Sequence, residues 1–233
     1  MSDLGRLCPT ERSFRSLQSS PDIALPHVKS EVRRLADQYQ FFHWHLAYPD
    51  VFRLPGGSEM AQNEYTGWNN GFDVVLGNPP WETSEIKEKE WFGERAPEIA
   101  NARNAGARKQ LIKSLESEAP ELYREFKDAV RVANGAKHLI RVSGRFPLCT
   151  SGKLNSYSLF CEQNRHIVCS IGRVGAVVPS GITSEYANRH FFADAMSTKT
   201  LVEVIGFINE RMLFPNVMHN VKYCIIVIAG RSM

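Results

Sequence analysis

Short apolar runs at Phe72–Leu76, Gly175–Pro179, Leu201–Ile208 and Val221–Ile228 predict strands, each bounded by polar or turn-forming residues. Elsewhere the apolar spacing is helical. Val28–Tyr39 reads as one amphipathic helix, and Leu111, Leu115, Leu122, Phe126 and Val130 fit helices packed on one side. Further helices are expected over Ser156–His166 and about Glu185–Met196. Four zones follow: a polar helical lead (1–40), a lead-in and first strand (41–81) with a short extended segment and a turn-rich stretch Leu54–Asn70, a helical insertion rich in charge and alanine (82–153), and a return to α/β patterning (154–233). The last two strands stand too close for a crossover helix, so they must pair antiparallel. The fold class is α/β, a sheet with parallel strands ending in an antiparallel hairpin and carrying a helical insertion.

The first strand runs directly into Asn78-Pro79-Pro80-Trp81. Average residue usage gives such a tetrapeptide with a terminal aromatic in about one chain of this length in several hundred, before its strand context is counted. These residue types suit one kind of chemistry. An amino group conjugated to a ring or carbonyl is a poor nucleophile, and hydrogen-bond acceptors stabilise it as its nitrogen turns tetrahedral. The amide oxygen of Asn78 and the main-chain carbonyl of Pro79 are acceptors of that kind. Pro79 and Pro80 fix φ and stiffen the loop. Trp81 offers a π-face to a planar base, a contact worth roughly 1–3 kcal/mol on single strands. The plain alternative is a proline-rich turn after a core strand with an incidental tryptophan.

With that loop the chain resembles the adenine-specific, amino-methylating DNA methyltransferases, and most of all the Eco57I-type enzymes of restriction and phage-defence systems. The resemblance runs from about Phe41 to the C-terminus. It is carried in order by FFHWHLAYPDVF (Phe41–Phe52), the strand and its loop, SGRFPL (Ser143–Leu148), LNSYSLFCE (Leu154–Glu162), GRVGAVVPSGI (Gly172–Ile182) and MLFPNVMHNVKYCIIVI (Met212–Ile228). It implies a partial Rossmann-like methyltransferase sheet, the catalytic half, and transfer of a methyl group from S-adenosylmethionine to the exocyclic amino group of an adenine flipped out of double-stranded DNA. By resemblance Asn78, Pro79, Pro80 and Trp81 are catalytic, Phe214 stacks on the base opposite Trp81, and Asn155 and Tyr157 join Asn78 in lining the cofactor and base pocket. Asn155 reads equally as a helix N-cap. Pro179-Ser180-Gly181 sits where ligands collect in open α/β sheets, and also reads as a turn.

Before Asn78 there is no strand ending in a glycine-rich turn, the main cofactor motif of such sheets. The expectation is therefore a chain that lacks the cofactor-binding half and the target-recognition region, with Phe72–Leu76 on an uncovered edge that aggregates or recruits another chain. Two other functions stay open: an inactive fragment that only binds a partner, and methylation of protein glutamine or of RNA.

Composition narrows this little. The chain has 233 residues, 43% of them hydrophobic, and a formal charge of +3, which permits contact with a polyanion without arguing for it. Arg103, Arg108, Lys109 and Lys113 could face DNA or form a solvated helix face, and Lys222 and His219 could meet phosphate. The five cysteines, Cys8, Cys149, Cys161, Cys169 and Cys224, have no metal-ligand spacing and read as reduced core thiols of a cytoplasmic protein. His43 and His45 would share one strand face with no third ligand, so no metal is expected. No run has transmembrane length, and the N-terminus lacks the apolar core of a signal peptide, so no membrane partner is expected.

Overall fold

The computed structural model describes residues 11–20, 22, 25–83, 85–212, 215 and 218–231. It divides between Pro49 and Asp50 into two units. Cys8 and Phe214 lie outside the described residues.

The first unit holds helices α1 (Glu11–Ser19), α2 (Pro26–Tyr39) and α3 (Trp44–Ala47). Proline in its first turn pre-sets φ for α2, and Gln40 closes it in the left-handed region while its N–H bonds to the carbonyl of Ala36. The extended segment expected around His43–His45 is instead the helical turn α3. Trp44 and Tyr48 stack one turn apart, with centroids 6.0 Å apart, which favours the helix over the strand that period-2 reading suggested. His43 and His45 meet edge to face and do not share a strand face. Among the described residues no group of three His, Cys, Asp or Glu side chains is placed to hold a metal ion.

The second unit is built on a four-stranded sheet: β1 (Phe72–Gly77), β2 (Val168–Pro179), β3 (Leu201–Ile208) and β4 (Lys222–Ala229), in the order β1-β2-β4-β3. β1 runs parallel to β2, and β4 is antiparallel to both β2 and β3. This is the mixed sheet with an antiparallel hairpin edge that the spacing predicts. β2 begins at Val168, earlier than the Gly175 expected, and its first half is irregular. The register jumps between Phe72 opposite Val168 and Val74 opposite Arg173. Gly172 makes that jump possible, since a Cβ there would lie 2.7 Å from the carbonyl oxygen of Asp73.

Between β1 and β2 come α4 (Glu88–Phe92), α5 (Pro97–Ala100), α6 (Ala105–Glu118), α7 (Pro120–Val142) and α8 (Ser156–Ile167). α4–α7 form the insertion and have their own buried cluster of Phe92, Ala96, Ile99, Ile112, Leu115 and Phe126. Arg108 is a buried residue of α6. At 7% exposure, with an ion pair to Glu88 at 3.8 Å, it turns inward and faces no solvent, unlike exposed Lys109 and Lys113.

α8 continues into β2 and packs with α10 (Arg189–Ser197) on one sheet face. That core joins Tyr157, Leu159, Cys161 and Phe191 to Val174, Ala176, Val178, Ile226 and Ile228. The helix expected over about Glu185–Met196 is a 3₁₀ turn at Tyr186–Asn188 followed by α10, and a separate helical turn, α9 (Gly181–Ser184), precedes it. Asn188 explains the break. Its side chain donates to the carbonyl of Gly181 at 2.9 Å and holds the chain in a tight bend.

Candidate active site

At the carboxyl end of β1 the backbone leaves the sheet beside β2, and the Asn78–Trp81 loop follows. Its geometry is set by one donor. The indole Nε1 of Trp81 donates to Asn78 Oδ1 at 3.1 Å and to the Val177 carbonyl of β2 at 3.2 Å. The first bond fixes the direction of the Asn78 carboxamide, and the second anchors the loop to the sheet. One lone pair of Oδ1 remains for another donor. Asn78 and Pro80 are exposed, whereas Pro79 is buried and Trp81 half-buried.

Trp81 does not stand alone. Tyr223, at the start of β4, lies against it with centroids 6.1 Å apart, and Phe207 of β3 stacks on Tyr223 at 5.4 Å and 16°. The run of three rings crosses the carboxyl end of the sheet and limits the angles open to Trp81. Tyr223 carries no local sign of this in the sequence. Only the pairing of Tyr223 with Phe207 and Pro179 brings it there.

The segment after Trp81 is tied to the start of α8. Thr83 bridges Asn155, and the N–H of Ser156 donates to the Glu82 carbonyl at 2.9 Å. Asn155 therefore stands beside the segment that follows the loop. It occupies the N-cap position, but its side chain makes no cap hydrogen bond. Its amide instead points to Glu185 Oε2 and the Tyr157 hydroxyl, both at 3.5 Å.

Tyr157 is 4% exposed and fully engaged. Its hydroxyl donates to Glu185 Oε2 at 3.1 Å and accepts from Asn188 Nδ2 at 3.1 Å, while Ser158 Oγ donates to Asn188 Oδ1 at 2.6 Å. Burial chiefly, with Glu185 adding to it, pushes the phenol above its ordinary range, so it stays protonated. Glu185 and Asn188 are the residues that sequence reasoning missed. Their partners lie about thirty positions away, where no periodicity reaches. Gly181 makes room for the carboxylate, since a Cβ there would sit 2.5 Å from Glu185 Oε1.

Beside this group is a polar cleft of about 410 Å³ lined by Glu85, Asn134, Lys137, His138, Arg141 and Leu154. Lys137 and Arg141 share one face of α7, and Arg141 donates to the Gly152 carbonyl at 2.7 Å. Cys149, Cys161 and Cys224 are buried, and burial pushes the Cys161 thiol up to about 12, so none of these is an activated nucleophile.

Residues 11–119 match the Eco57I restriction-modification methylase family. The match covers the described helices of the first unit, β1, the Asn78–Trp81 loop and α4–α6. It supports a restriction-system methyltransferase, a class that uses S-adenosylmethionine and, in restriction-modification systems, acts on DNA. No curated protein matches the chain. No described helix is long and apolar enough to cross a membrane.

Proposed function

We propose that this methylase segment is adenine-specific and acts on a base flipped out of double-stranded DNA. The observation that carries the reading is the exposed Asn78 carboxamide, held at the carboxyl end of β1 by the Trp81 indole. Asn78 Oδ1 and the Pro79 carbonyl accept the two amino protons of the adenine and favour the tetrahedral nitrogen. Trp81 supports the base on one face, and Phe214 is assigned the other. Lys137 and Arg141, in the cleft lined also by Glu85 and Leu154, are assigned the DNA backbone. The amino group loses its extra proton to solvent, and no Cys or His takes part.

S-adenosylmethionine, when bound, supplies the methyl group. The fit of the described residues to it is partial. Asn78 offers its amide in the loop and Asn155 beside the segment that follows it, whereas Tyr157 is buried and committed to Glu185 and Asn188. Apolar β1 side chains favour a further reading, that another polypeptide segment, expected to bring the glycine-rich cofactor turn, covers this face of the sheet: Val74 and Leu76 are 59% and 77% exposed.

The test is transfer of labelled methyl groups to an adenine-containing duplex, by the chain alone and with the segment encoded directly upstream of it. The product expected is N6-methyladenine. Asn78→Ala should lower the rate by about 10²–10³-fold, the scale of losing one transition-state hydrogen bond, and leave duplex affinity nearly unchanged. Transfer that survives this substitution, or label that enters protein or RNA instead of DNA, overturns the assignment.

A further inference from the structure

Tyr186 is 74% exposed, the most open of the described Phe, Tyr and Trp side chains, and the methyl-transfer reading leaves it unused. A single exposed ring needs no explanation. Here, however, the ring is braced. The Arg189 guanidinium lies 3.7 Å from its centroid, and Arg189 Nη1 donates to the Tyr186 carbonyl at 2.9 Å. The cation covers one face of the ring, while most of the ring surface stays open to solvent.

The turn that carries this pair is fixed to its neighbours. Tyr186–Asn188 is a 3₁₀ turn whose last residue, Asn188, is 2% exposed. Asn188 Nδ2 donates to the Tyr157 hydroxyl and to the Gly181 carbonyl, at 3.1 and 2.9 Å, and its Oδ1 accepts from Ser158 Oγ at 2.6 Å. A platform tied in this way to α8 and α9 is ordered before any ligand arrives, so binding does not have to order it.

Its place in the fold points to the ligand. Glu185, next to Tyr186, bonds to Tyr157 and Asn155, and Asn155 bridges to Thr83, just after Trp81. The pair therefore adjoins the segment that leaves the candidate catalytic loop. Ala187 lies against Gly152, where a Cβ would come within 3.7 Å of the Ala187 Cβ, and the Gly152 carbonyl accepts from Arg141 at 2.7 Å. Arg141 lines the polar cleft with Lys137 and His138. Between Asp128 and Glu162 the chain has no acidic residue and carries Arg131, Lys137, Arg141, Arg145 and Lys153. Two carboxylates belong to the same region: Glu185 is drawn to the Tyr157 hydroxyl, and Glu85 lines the cleft. An open π-face with a cation beside it suits a nucleobase and its phosphate, since every base has a face to stack and every nucleotide an anion.

We infer that Tyr186 and Arg189 contact the DNA beside the flipped adenine. The Tyr186 ring stacks on a base that loses its neighbour when the adenine turns out, and Arg189 donates to the adjoining phosphate. Unstacking opposes flipping, and a ring that covers the newly exposed base offsets part of that cost. The inference rests on the adenine methylase reading and adds to it a pair of residues that senses the opened helix.

Fluorescence anisotropy of the whole chain tests it, with two labelled duplexes of one sequence, the first fully paired and the second with an abasic site in place of one adenine. Binding to the abasic duplex is expected to be tighter by about fivefold or more, the scale of one base stacked on an aromatic ring. Tyr186 is exposed, so Tyr186→Ala keeps the fold; it should remove the preference, and Tyr186→Phe should retain it. Arg189→Gln should weaken binding to both duplexes and reduce the slope of log affinity against log salt by about 1. Equal affinity for the two duplexes, or a preference that Tyr186→Ala leaves intact, overturns the inference and leaves the methylase reading standing. A Tyr186-dependent preference in a chain that makes no N6-methyladenine overturns the adenine reading alone. No duplex binding at all overturns both.

Discussion

The two faces of the sheet are made from alternate residues of the same strands, and their surroundings differ sharply. On one face Val174, Ala176, Val178, Ile226 and Ile228 lie under α8 and α10 at no more than 1% exposure. On the other, Val74 and Leu76 are 59% and 77% exposed, with Val177, Ile225 and Val227 only half-buried beside them. Parallel strands in α/β proteins are ordinarily covered on both sides and carry apolar residues to match. Here the side chains suit two covers and the described residues supply one. Apolar content therefore records what a strand is built to touch, and exposure records what it touches.

The largest expected effect separates the faces directly. Ile226→Ala should cost about 2–5 kcal/mol as a cavity opens under α8 and α10, while Val227→Ala, one residue along, should cost about 1 kcal/mol or less. Paired denaturant melts measure both, and equal losses would erase the distinction.

Acid should loosen the covered face. His166, at the end of α8, has its pKa lowered in the folded state to about 4 from an ordinary 6.5, by burial first and then by Arg165, Arg145 and Arg231. Between those values the unfolded chain binds a proton that the folded one refuses, so stability falls as pH drops through that window and levels off below it. The loss is on the order of 3 kcal/mol. Burial raises the Glu162 carboxyl above its ordinary range, which works in the opposite sense as pH falls, because the folded state then takes up its proton before the unfolded chain does. Stability profiles of the chain and of His166→Gln, compared between pH 7 and pH 4, isolate the histidine by difference.

The smallest effect on stability belongs to the open face. Leu76→Lys should change unfolding free energy by about 0.5 kcal/mol or less, yet should lower self-association seen by sedimentation. A monodisperse chain whose behaviour the substitution leaves unaltered would mean that this face is not adhesive.

Legibility in the sequence followed the range of the interactions. β1, α8 and the antiparallel pairing of β3 with β4 show in local spacing, because each is fixed by its own alternation or by the length of its connection. The first half of β2 was hidden by Ser170, Gly172 and Arg173, which interrupt the apolar run where the register jumps. Asn188 broke an apparently continuous helix through a bond to Gly181. In the candidate site the Asn78–Trp81 loop was readable, whereas Glu185, Asn188 and Tyr223 enter through contacts between distant segments.

The bridge between Thr83 and Asn155 brings the two ends of the insertion to within the spacing of paired strands. With its own buried cluster, the excursion behaves like a cassette plugged into a two-pin socket. Evolution could lengthen it, replace it or reduce it to a hairpin turn, and an engineer could graft another domain there, while Asn78 and Trp81 kept their places.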